Sequence, residues 1–495
     1  MLMGIHSKAD NSVNKGAVLA IILISYVMIV LDISVVLTGL PKIHQELGFS
    51  ESDLAWVQSA YTLTFGGFLL LGARAGDILG RRRMFTVGLA VFTLASLAIG
   101  LSRTAEWMLS WRAIQGAGAA VLAPSTLALL QTNFPDEHER TRAVSYYSAA
   151  AGVSATVGLV LGGILADWLS WRVGFFINLP IGLGLIVAAR IYLQETSRHS
   201  GRFDVLGAVT STIGMSALVY GFMRSAHTGW HDAGTAVTIA VAILLIGMFI
   251  LIQRRAPQPI LPIRLFDSRI RSGAYAGRVL YLAAMVGFFF FTTIYLQEVA
   301  GYGPAIAGLA FLPATVLHFP FAIAVPHLVR RLSLDVLLVV GLIFGIAGMA
   351  WLSRVSTEGG YLVSVALPMI LIGISQGLTL SPLTAKGVVD VAEKDAGAAS
   401  GAVNVAHQLG SSVGLSVLVA IAAVGETGLA GPELALHRIR QAFDAGTVML
   451  VIALVIVLAT IVRSKSADAT NRAPANSTTA ECATEAPAMF AAENG

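Results

Sequence analysis

Residues 17–37 read AVLAIILISYVMIVLDISVVL, an apolar run that contains one charged side chain, Asp32. At about 1.5 Å per residue, a helix of this length crosses the hydrocarbon core of a bilayer. A charged side chain within such a helix costs roughly 2.5–3.5 kcal/mol on insertion scales. Asp32 therefore needs a partner that offsets the cost, or a function that uses the charge.

The composition of the whole chain agrees with this first run. Of its 495 residues, 56% are hydrophobic and 12% are charged, whereas soluble proteins carry about 25% charged residues. The sequence therefore predicts an all-α integral membrane protein. The net charge of +4 comes from short basic clusters between apolar runs, which argues against a nucleic-acid partner. A single cysteine, Cys482, excludes a disulfide framework and a cysteine metal site.

Apolar runs of spanning length recur along the chain, and each predicts a transmembrane helix. We predict fourteen spans, near residues 17–37, 54–72, 84–101, 107–130, 143–166, 172–192, 204–224, 235–253, 276–297, 305–325, 335–353, 361–381, 399–421 and 441–462.

The positions of the cations predict the orientation, because cytoplasmic loops carry an excess of Lys and Arg. With the N-terminus inside, cytoplasmic segments hold 24 of the 32 Lys and Arg residues. Both termini are then cytoplasmic. Residues 1–16 form an N-terminal tail, 254–275 form a basic, proline-bearing connector, and 463–495 form a tail that we expect to be disordered.

Several short motifs occur in order along the chain. The loop after the second span reads GARAGDILGRRRMF (72–85), and its glycines allow helix ends to approach closely. The later motifs are WMLSWRAIQGAGAAVLAPS (107–125), GVSATVGLVLGGIL (152–165), WRVGFFINLPIG (171–182) and GAASGAVNVAHQLGSSVGLSV (397–417).

This set of motifs resembles the major facilitator superfamily, specifically its fourteen-helix drug:proton antiporters. The resemblance covers nearly the whole chain. It implies two six-helix bundles, 17–197 and 276–462, with two further transmembrane helices, 204–253, inserted between them. It also implies a substrate path at the interface of the bundles, near the bilayer midplane.

The resemblance assigns roles to two of these motifs. The loop implies a gating motif formed by Gly76, Asp77, Gly80, Arg81 and Arg82. The fifth span implies a helix-packing motif formed by the small residues Gly158, Gly162 and Gly163. Leu159 stands where the antiporter motif usually has proline.

Asp32 and Arg112 are natural partners, because each is predicted to lie about five residues, or roughly 7 Å, from the outer end of its span. One alternative is a static ion pair. The other is proton coupling, in which Asp32 takes up and releases a proton while Arg112 moves relative to it. Gln115, one turn below Arg112, is expected to bond the pair or the substrate.

Further polar and aromatic residues within the spans are candidates for the substrate path. Asn178 is instead expected to satisfy backbone groups near Pro180. The substrate-path candidates are Gln115, Tyr61, Gln58, His318, Asn404, His407 and Gln408.

The predicted function is secondary active export: protons enter while a lipophilic drug or antibiotic, cationic or zwitterionic, leaves. No P-loop, nucleophile elbow or paired metal-ligating histidines occur in the sequence. We therefore expect no enzymatic activity, no cofactor and no metal, and a monomer in the cell membrane. Two alternatives stay open: a dedicated exporter of one endogenous natural product, and a proton-coupled solute importer, which Leu159 keeps possible.

Overall fold

The computed structural model describes residues 14–50, 53–134, 136–195, 204–257, 259–356, 360–391, 396–425 and 431–462. The side chains of some helical residues within these ranges lie outside the description. The predicted C-terminal tail, 463–495, and residues 1–13 of the predicted N-terminal tail lie outside it entirely.

The described part of the chain is all-helical and contains no strand. A 3-10 turn at Ile263–Asp267 and π turns at Tyr295–Val299, Leu362–Ala366 and Leu458–Val462 accompany the α-helices. The α-helices are α1 (Lys15–Leu47), α2 (Ala55–Leu79), α3 (Arg81–Gly100), α4 (Ala105–Asn133), α5 (Glu137–Trp168), α6 (Trp171–Phe176), α7 (Asn178–Tyr192), α8 (Val205–Thr228), α9 (Ala233–Arg255), α10 (Arg269–Ile294), α11 (Pro304–Leu309), α12 (Leu312–Leu328), α13 (Leu334–Leu352), α14 (Leu367–Gly387), α15 (Ala396–Ala422) and α16 (Gly431–Val457).

Twelve helical segments in the described ranges are long and apolar enough to cross a membrane. The consecutive helices α6 and α7 form one such segment, and α11 and α12 form another. The two remaining predicted spans fall in α2, of 25 residues, and α5, of 32 residues, which are not among the twelve; Val157–Trp168 of α5 is a shorter apolar helical stretch. The chain is thus a multi-pass membrane protein.

Polar residues cap many of the helices, as expected where an apolar run begins after a loop. The side chains of Asn14, Thr104 and Asp204 accept hydrogen bonds from backbone N–H groups in the first turns of α1, α4 and α8. The α1 helix ends at Leu47, ten residues beyond the predicted end of the first span, and contains Pro41. The predicted first span, 17–37, lies within this helix.

Helices α1–α7, the first helix group, pack largely against one another, as do α10–α16, the second helix group. The two groups meet where α2 packs on α15 and where α5 packs on α11. Glycines allow both contacts: a Cβ at Gly66 would lie 2.5 Å from Gln408 Cβ, and one at Gly163 would overlap the Pro304 carbonyl oxygen.

The helices α8 and α9, the inserted pair, lie against this interface. The α8 helix contacts both α2 and α15, and a Cβ at Gly67 of α2 would lie 2.6 Å from Thr212 Oγ1. At one end, Asp232 accepts hydrogen bonds from the Arg224 side chain (2.7 Å) and from the backbone N–H of Thr235 (2.9 Å). These bonds lower the pKa of Asp232 to about 2, so it stays ionised at neutral pH.

One end of the bundle, which we call the basic end, carries clustered cations. It holds Arg81, Arg82 and Arg83 at the start of α3, the pair Arg254 and Arg255 at the end of α9, and Arg330 and Arg331 after α12. At this end Lys386 of α14 forms a buried ion pair with Asp335 of α13.

We expect Gly163→Ala to lower the apparent thermal unfolding midpoint of the purified protein, because its new methyl group overlaps backbone atoms of Pro304. Overpacking of this kind typically costs about 1–3 kcal/mol. Gly184→Ala in α7 is the matched control, since no other atom lies within 4 Å of its added Cβ, and it should leave the midpoint unchanged or raise it. Equal midpoints for the two variants would contradict the contact between α5 and α11.

Candidate functional site

The carboxylate of Asp32 lies at the centre of a buried hydrogen-bond network in the first helix group. Its Oδ2 accepts from Arg112 Nη1 (2.7 Å), and its Oδ1 accepts from Gln115 Nε2 (2.8 Å) and Asn178 Nδ2 (3.0 Å). These four side chains are at most 1% exposed. Asp32 and Arg112 thus form the ion pair expected from the sequence, and its atoms are removed from solvent.

The guanidinium of Arg112 contacts several groups besides Asp32. Its Nη1 donates to Gln115 Oε1 (2.7 Å), and its Nε donates to the Val57 carbonyl oxygen of α2 (2.9 Å). Its central carbon lies 4.5 Å from the centre of the Tyr61 ring, a favourable cation–π distance. Its Nη2 has no hydrogen-bond partner among the described residues.

Five helices hold these groups in place. The α1 helix supplies Asp32, α4 supplies both Arg112 and Gln115, and α3 supplies Ser96 Oγ, which accepts from Gln115 Nε2 (2.8 Å). Since α1 continues to Leu47, Asp32 lies roughly 22 Å from that end of the helix. The depth of Asp32 in the membrane stays a prediction.

Asn178 belongs to this network, which contradicts the expectation that it satisfies backbone groups near Pro180. It is the first residue of α7, after a short break that separates α6 from α7 at Ile177. The break directs its amide toward α1 and α3, where it also bonds Ser96 Oγ (3.3 Å). Asp32 thus has three direct hydrogen-bond partners, of which Arg112 is cationic and Gln115 and Asn178 are neutral.

The predicted gating motif lies at the basic end. Arg81 Nη1 donates to Thr132 Oγ1 of α4 (3.0 Å), and Arg82 Nη1 donates to the Leu193 carbonyl oxygen after α7 (3.1 Å). Gly76 is buried in α2, and its backbone carbonyl accepts from the N–H of Gly80 (3.1 Å). The side chain of Asp77 lies outside the described residues.

Gly80 connects α2 to α3 with φ +104°, a backbone conformation that favours glycine. Beside it, the Glu195 carboxylate accepts from the backbone N–H groups of Arg82 (3.0 Å) and Arg83 (3.2 Å) at the start of α3. An anion at a helix N-terminus accepts hydrogen bonds from the unpaired N–H groups there, and its charge interacts favourably with the positive end of the helix dipole. A Cβ at Gly80 would lie 2.6 Å from Glu195 Cδ.

The three glycines predicted as a helix-packing motif face two different helices. Cβ atoms at Gly158 and Gly162 would each lie 2.6 Å from side-chain atoms of Ser34 and Thr38 in α1, whereas Gly163 faces α11 of the second helix group. The α5 helix runs unbroken past Leu159. The motif therefore packs α5 against both groups.

The candidates Tyr61 and Gln58 of α2 are buried, at 0% and 2% exposed. Tyr61 stacks on Arg112 and so forms one wall of the ion-pair network. The hydroxyl of Tyr61 and the amide oxygen of Gln58 have no hydrogen-bond partner in the described parts of the chain.

The candidates of the second helix group do not form one cluster. His318 is half-buried in α12, Asn404 is exposed on α15, and Gln408 is buried against Gly66 where α15 meets α2. His407 Nδ1 lies 3.1 Å from Nη2 of Arg278. Arg278 is buried within α10.

Comparison with known proteins places the chain in a family. The sequence profile of the Major Facilitator Superfamily matches residues 22–415. The chain belongs to this superfamily. Among relatives, the cephamycin export protein CmcT of Amycolatopsis lactamdurans is 38% identical over 83% of this chain and 86% of its own length. The puromycin resistance protein pur8 of Streptomyces alboniger is 36% identical over 81% of this chain and 80% of its own.

Solved structures of the superfamily have the same fold. A peptide transporter POT in complex with sulfate matches with a TM-score of 0.65, covering 89% of this chain and 94% of that one at 14% identity. A bacterial homologue of the lysosomal transporter Spinster, inward-facing and unoccupied, also matches with a TM-score of 0.65, covering 90% and 96% at 15% identity.

Sequence reasoning missed four residues that take part in these networks. Ser96 gave no signal, because small polar residues are common in transmembrane helices, and Asn178 was assigned a different role near Pro180. Glu195 was missed because its partners, the backbone N–H groups at the start of α3, lie over 100 residues earlier in the sequence. Arg278 was not singled out, because it follows Arg269 and Arg271 closely in sequence.

We expect Gly80→Ala to reduce thermal stability more than Gly229→Ala does. Both glycines have φ between +80° and +105°, so both variants strain the backbone. Only Gly80→Ala also displaces Glu195, since the added Cβ of Gly229 meets open space. Loss of the hydrogen bonds between Glu195 and the start of α3 should lower the free energy of unfolding by a further amount of about 0.5–2 kcal/mol. Thermal unfolding of the purified variants checks this, and a larger loss for Gly229→Ala would refute it.

Proposed function

We propose that this protein is a secondary active exporter of the cell membrane, which moves lipophilic drugs or antibiotics outward as protons move inward. Superfamily membership and the relatives named for antibiotic export or resistance support the transport of such compounds. A tetracenomycin C resistance and export protein of Streptomyces glaucescens, 32% identical over 80% of this chain and 73% of its own length, adds to them. The transported compounds are cationic or zwitterionic.

Fourteen spans complete the membrane domain in this proposal. The α2 and α5 helices join the twelve apolar segments, because each packs along a spanning helix, α4 and α1 respectively. The basic end faces the cytoplasm, as cationic loops do. Both termini then lie on the cytoplasmic side, and two six-helix bundles flank the inserted pair.

The observation that carries proton coupling is the buried ion pair of Asp32 and Arg112. When a proton binds Asp32, the carboxyl group becomes neutral and must also find an acceptor for its new O–H. Arg112 then lacks its counter-charge in a site removed from water, which is energetically unfavourable. Proton binding thus favours a rearrangement of α1 relative to α4, and this rearrangement links the proton to the substrate path.

Outward-facing, Asp32 takes a proton from the acidic side of the membrane. After the two bundles rock, the proton leaves to the cytoplasm and the freed carboxylate favours a cationic substrate. A static ion pair would instead hold α1 on α4 throughout the cycle. Proton coupling and a static ion pair predict different transport activity for a variant in which both charges are removed.

We expect Asp32→Asn to abolish drug-dependent proton movement in everted vesicles, followed with a pH-sensitive dye and a panel of lipophilic cations and neutral antibiotics. The single variant leaves Arg112 buried without its counter-charge, which should destabilise the protein by about 3–5 kcal/mol. The double variant Asp32→Asn/Arg112→Gln removes both charges and should recover much of that stability.

The double variant distinguishes proton coupling from a static ion pair. Proton coupling through Asp32 predicts a stable double variant that dissipates no gradient when the drug is added. A static ion pair predicts that the double variant transports as the wild type does, and this result would refute the assignment. The amount of protein in the membrane and its thermal midpoint serve as controls for folding.

We expect Arg112→Lys to retain part of the exchange activity that Arg112→Ala loses. The guanidinium uses separate nitrogens for Asp32 and for the Val57 carbonyl oxygen, and a lysine ammonium keeps the charge but not this fork. Initial rates of dye recovery in vesicles measure the effect. Wild-type rates in Arg112→Ala would count against a role of the pair.

The same panel addresses the two alternative functions. Response to several unrelated compounds indicates a multidrug exporter, whereas response to a single natural product indicates a dedicated exporter. Accumulation of a compound by intact cells, with a proton moving in the same direction, would instead identify an importer.

A further inference from the structure

The directions of the hydrogen bonds around Asp32 follow from the chemistry of its carboxylate. An ionised carboxylate only accepts hydrogen bonds, so the atoms of Gln115 and Asn178 that face its Oδ1, at 2.8 and 3.0 Å, must be the amide nitrogens. Each nitrogen also donates to Ser96 Oγ, at 2.8 Å from Gln115 and 3.3 Å from Asn178. The two amides therefore have the same donor role toward the carboxylate and toward the serine.

The carbonyl oxygens of the two amides differ. Gln115 Oε1 accepts from Arg112 Nη1 (2.7 Å), so a turn of this amide would break that bond. Asn178 Oδ1 accepts no hydrogen bond from the residues that the structure describes, although Asn178 is only 1% exposed. The network around Asp32 thus contains an acceptor that is not in use, and this acceptor belongs to Asn178.

Ser96 can follow a turn of the Asn178 amide. The Ser96 hydroxyl donates to the Phe92 carbonyl oxygen (2.8 Å), one turn earlier in α3. Because that oxygen lies within the helix and also accepts from a backbone N–H, it keeps a donor if the hydroxyl rotates away. The torsion that turns the amide of an asparagine is itself soft. The amide and the hydroxyl can therefore exchange donor and acceptor roles without moving a helix.

We infer that Asn178 is a positioning residue that serves both protonation states of Asp32. It donates to the ionised carboxylate, as in the structure. When a proton binds Asp32 Oδ1, the Asn178 amide turns so that its Oδ1 accepts from the new O–H, and the Ser96 hydroxyl turns to donate to the same oxygen. Gln115 cannot take this role, because its carbonyl oxygen serves Arg112. The inference deepens the proposed function and rests on it, since it names the acceptor that a protonated Asp32 requires.

The charge of this site changes with pH through Asp32. Among the described residues, Arg112 of α4 is the charged side chain that contacts the carboxylate, and Tyr61 of α2 contacts that guanidinium. An arginine stays charged and a tyrosine stays neutral near neutral pH. The partners from α3 and α7, Ser96 and Asn178, are neutral. The other helices packed on α1, which are α5, α6, α10 and α11, place no described charged side chain against the carboxylate.

The test compares two variants of nearly unchanged side-chain size, Asn178→Leu and Gln115→Met, in the purified full-length protein in phosphatidylcholine nanodiscs. Apparent thermal midpoints are measured across a range of pH. The reference is the double variant Asp32→Asn/Arg112→Gln, which lacks both charges. The part of the wild-type pH dependence that this reference lacks marks the range in which Asp32 passes from the ionised to the protonated form.

The two variants should differ in their pH profiles. Gln115→Met removes a donor to the carboxylate, so its midpoint should fall further below that of the wild type at the ionised end of the range than at the protonated end, by about 2–4 °C. The bond from Arg112 to Gln115 is lost at both ends and cancels in this comparison. Asn178→Leu removes a donor from the ionised form and the acceptor from the protonated form, so its midpoint should be lowered by a similar amount at both ends. If Asn178 only donates, Asn178→Leu will show the pH profile of Gln115→Met, and this result would overturn the inference.

A second measurement does not depend on the stability of the Asn178 variant. Infrared difference spectra of the wild type between the two ends of the range, with the side-chain carbonyl of asparagine isotope-labelled, should contain a labelled C=O band that moves to lower frequency on protonation. The shift is expected because the Asn178 oxygen then accepts hydrogen bonds, and the double variant should lack it.

The outcomes separate the inference from the proposed function. A wild type whose pH dependence exceeds that of the double variant, but whose spectra contain no shifted labelled band, would overturn the role of Asn178 and leave proton binding at Asp32 intact. Identical pH dependence of the wild type and the double variant would show that Asp32 does not take up the proton. In that case the proposed coupling and the inference both fail.

Discussion

The ion pair of Asp32 and Arg112 constrains the first helix group because neither charge can reach water. Each hydrogen bond that compensates the pair comes from a different helix: α2 supplies the Val57 carbonyl, α4 supplies Gln115, and α7 supplies Asn178. Ser96 of α3 then accepts from both amides. A displacement of any of these helices leaves a buried polar group unpaired. Such a group destabilises the fold by about 1–3 kcal/mol, and a charged group by more. The polar network therefore fixes the helix positions more specifically than apolar packing in lipid can.

A buried ion pair is nevertheless weak evidence for stability, since well-packed apolar residues of similar volume often stabilise a fold equally well. The pair instead makes the packing of these helices sensitive to the charge of Asp32. The Nη2 of Arg112, the hydroxyl of Tyr61 and the amide oxygen of Gln58 lack partners in the described structure. Incomplete hydrogen bonding around a complete ion pair is more consistent with a site that rearranges than with a rigid scaffold.

The parts of this structure that were predictable from sequence are those that contrast with an apolar background. Asp32, Arg112 and Gln115 stand out in apolar runs, and their contact follows from similar depth. The helix is longer than the predicted span, because α1 continues through Pro41 to Leu47, and apolar periodicity does not show where such a helix ends. Asn178 and Glu195 were misjudged or missed because their roles depend on contacts with distant segments.

Buried charge is distributed differently in the two helix groups. The first group contains a buried acid already paired with a cation, while the second contains a buried cation whose described partners are neutral. In an exporter whose two bundles rock against each other, the distance between these sites changes as the bundles move. A ligand can shift a conformational equilibrium only by a difference in its affinity for the two states. Protonation of Asp32 biases this equilibrium from the first group, because it removes the counter-charge of the buried Arg112.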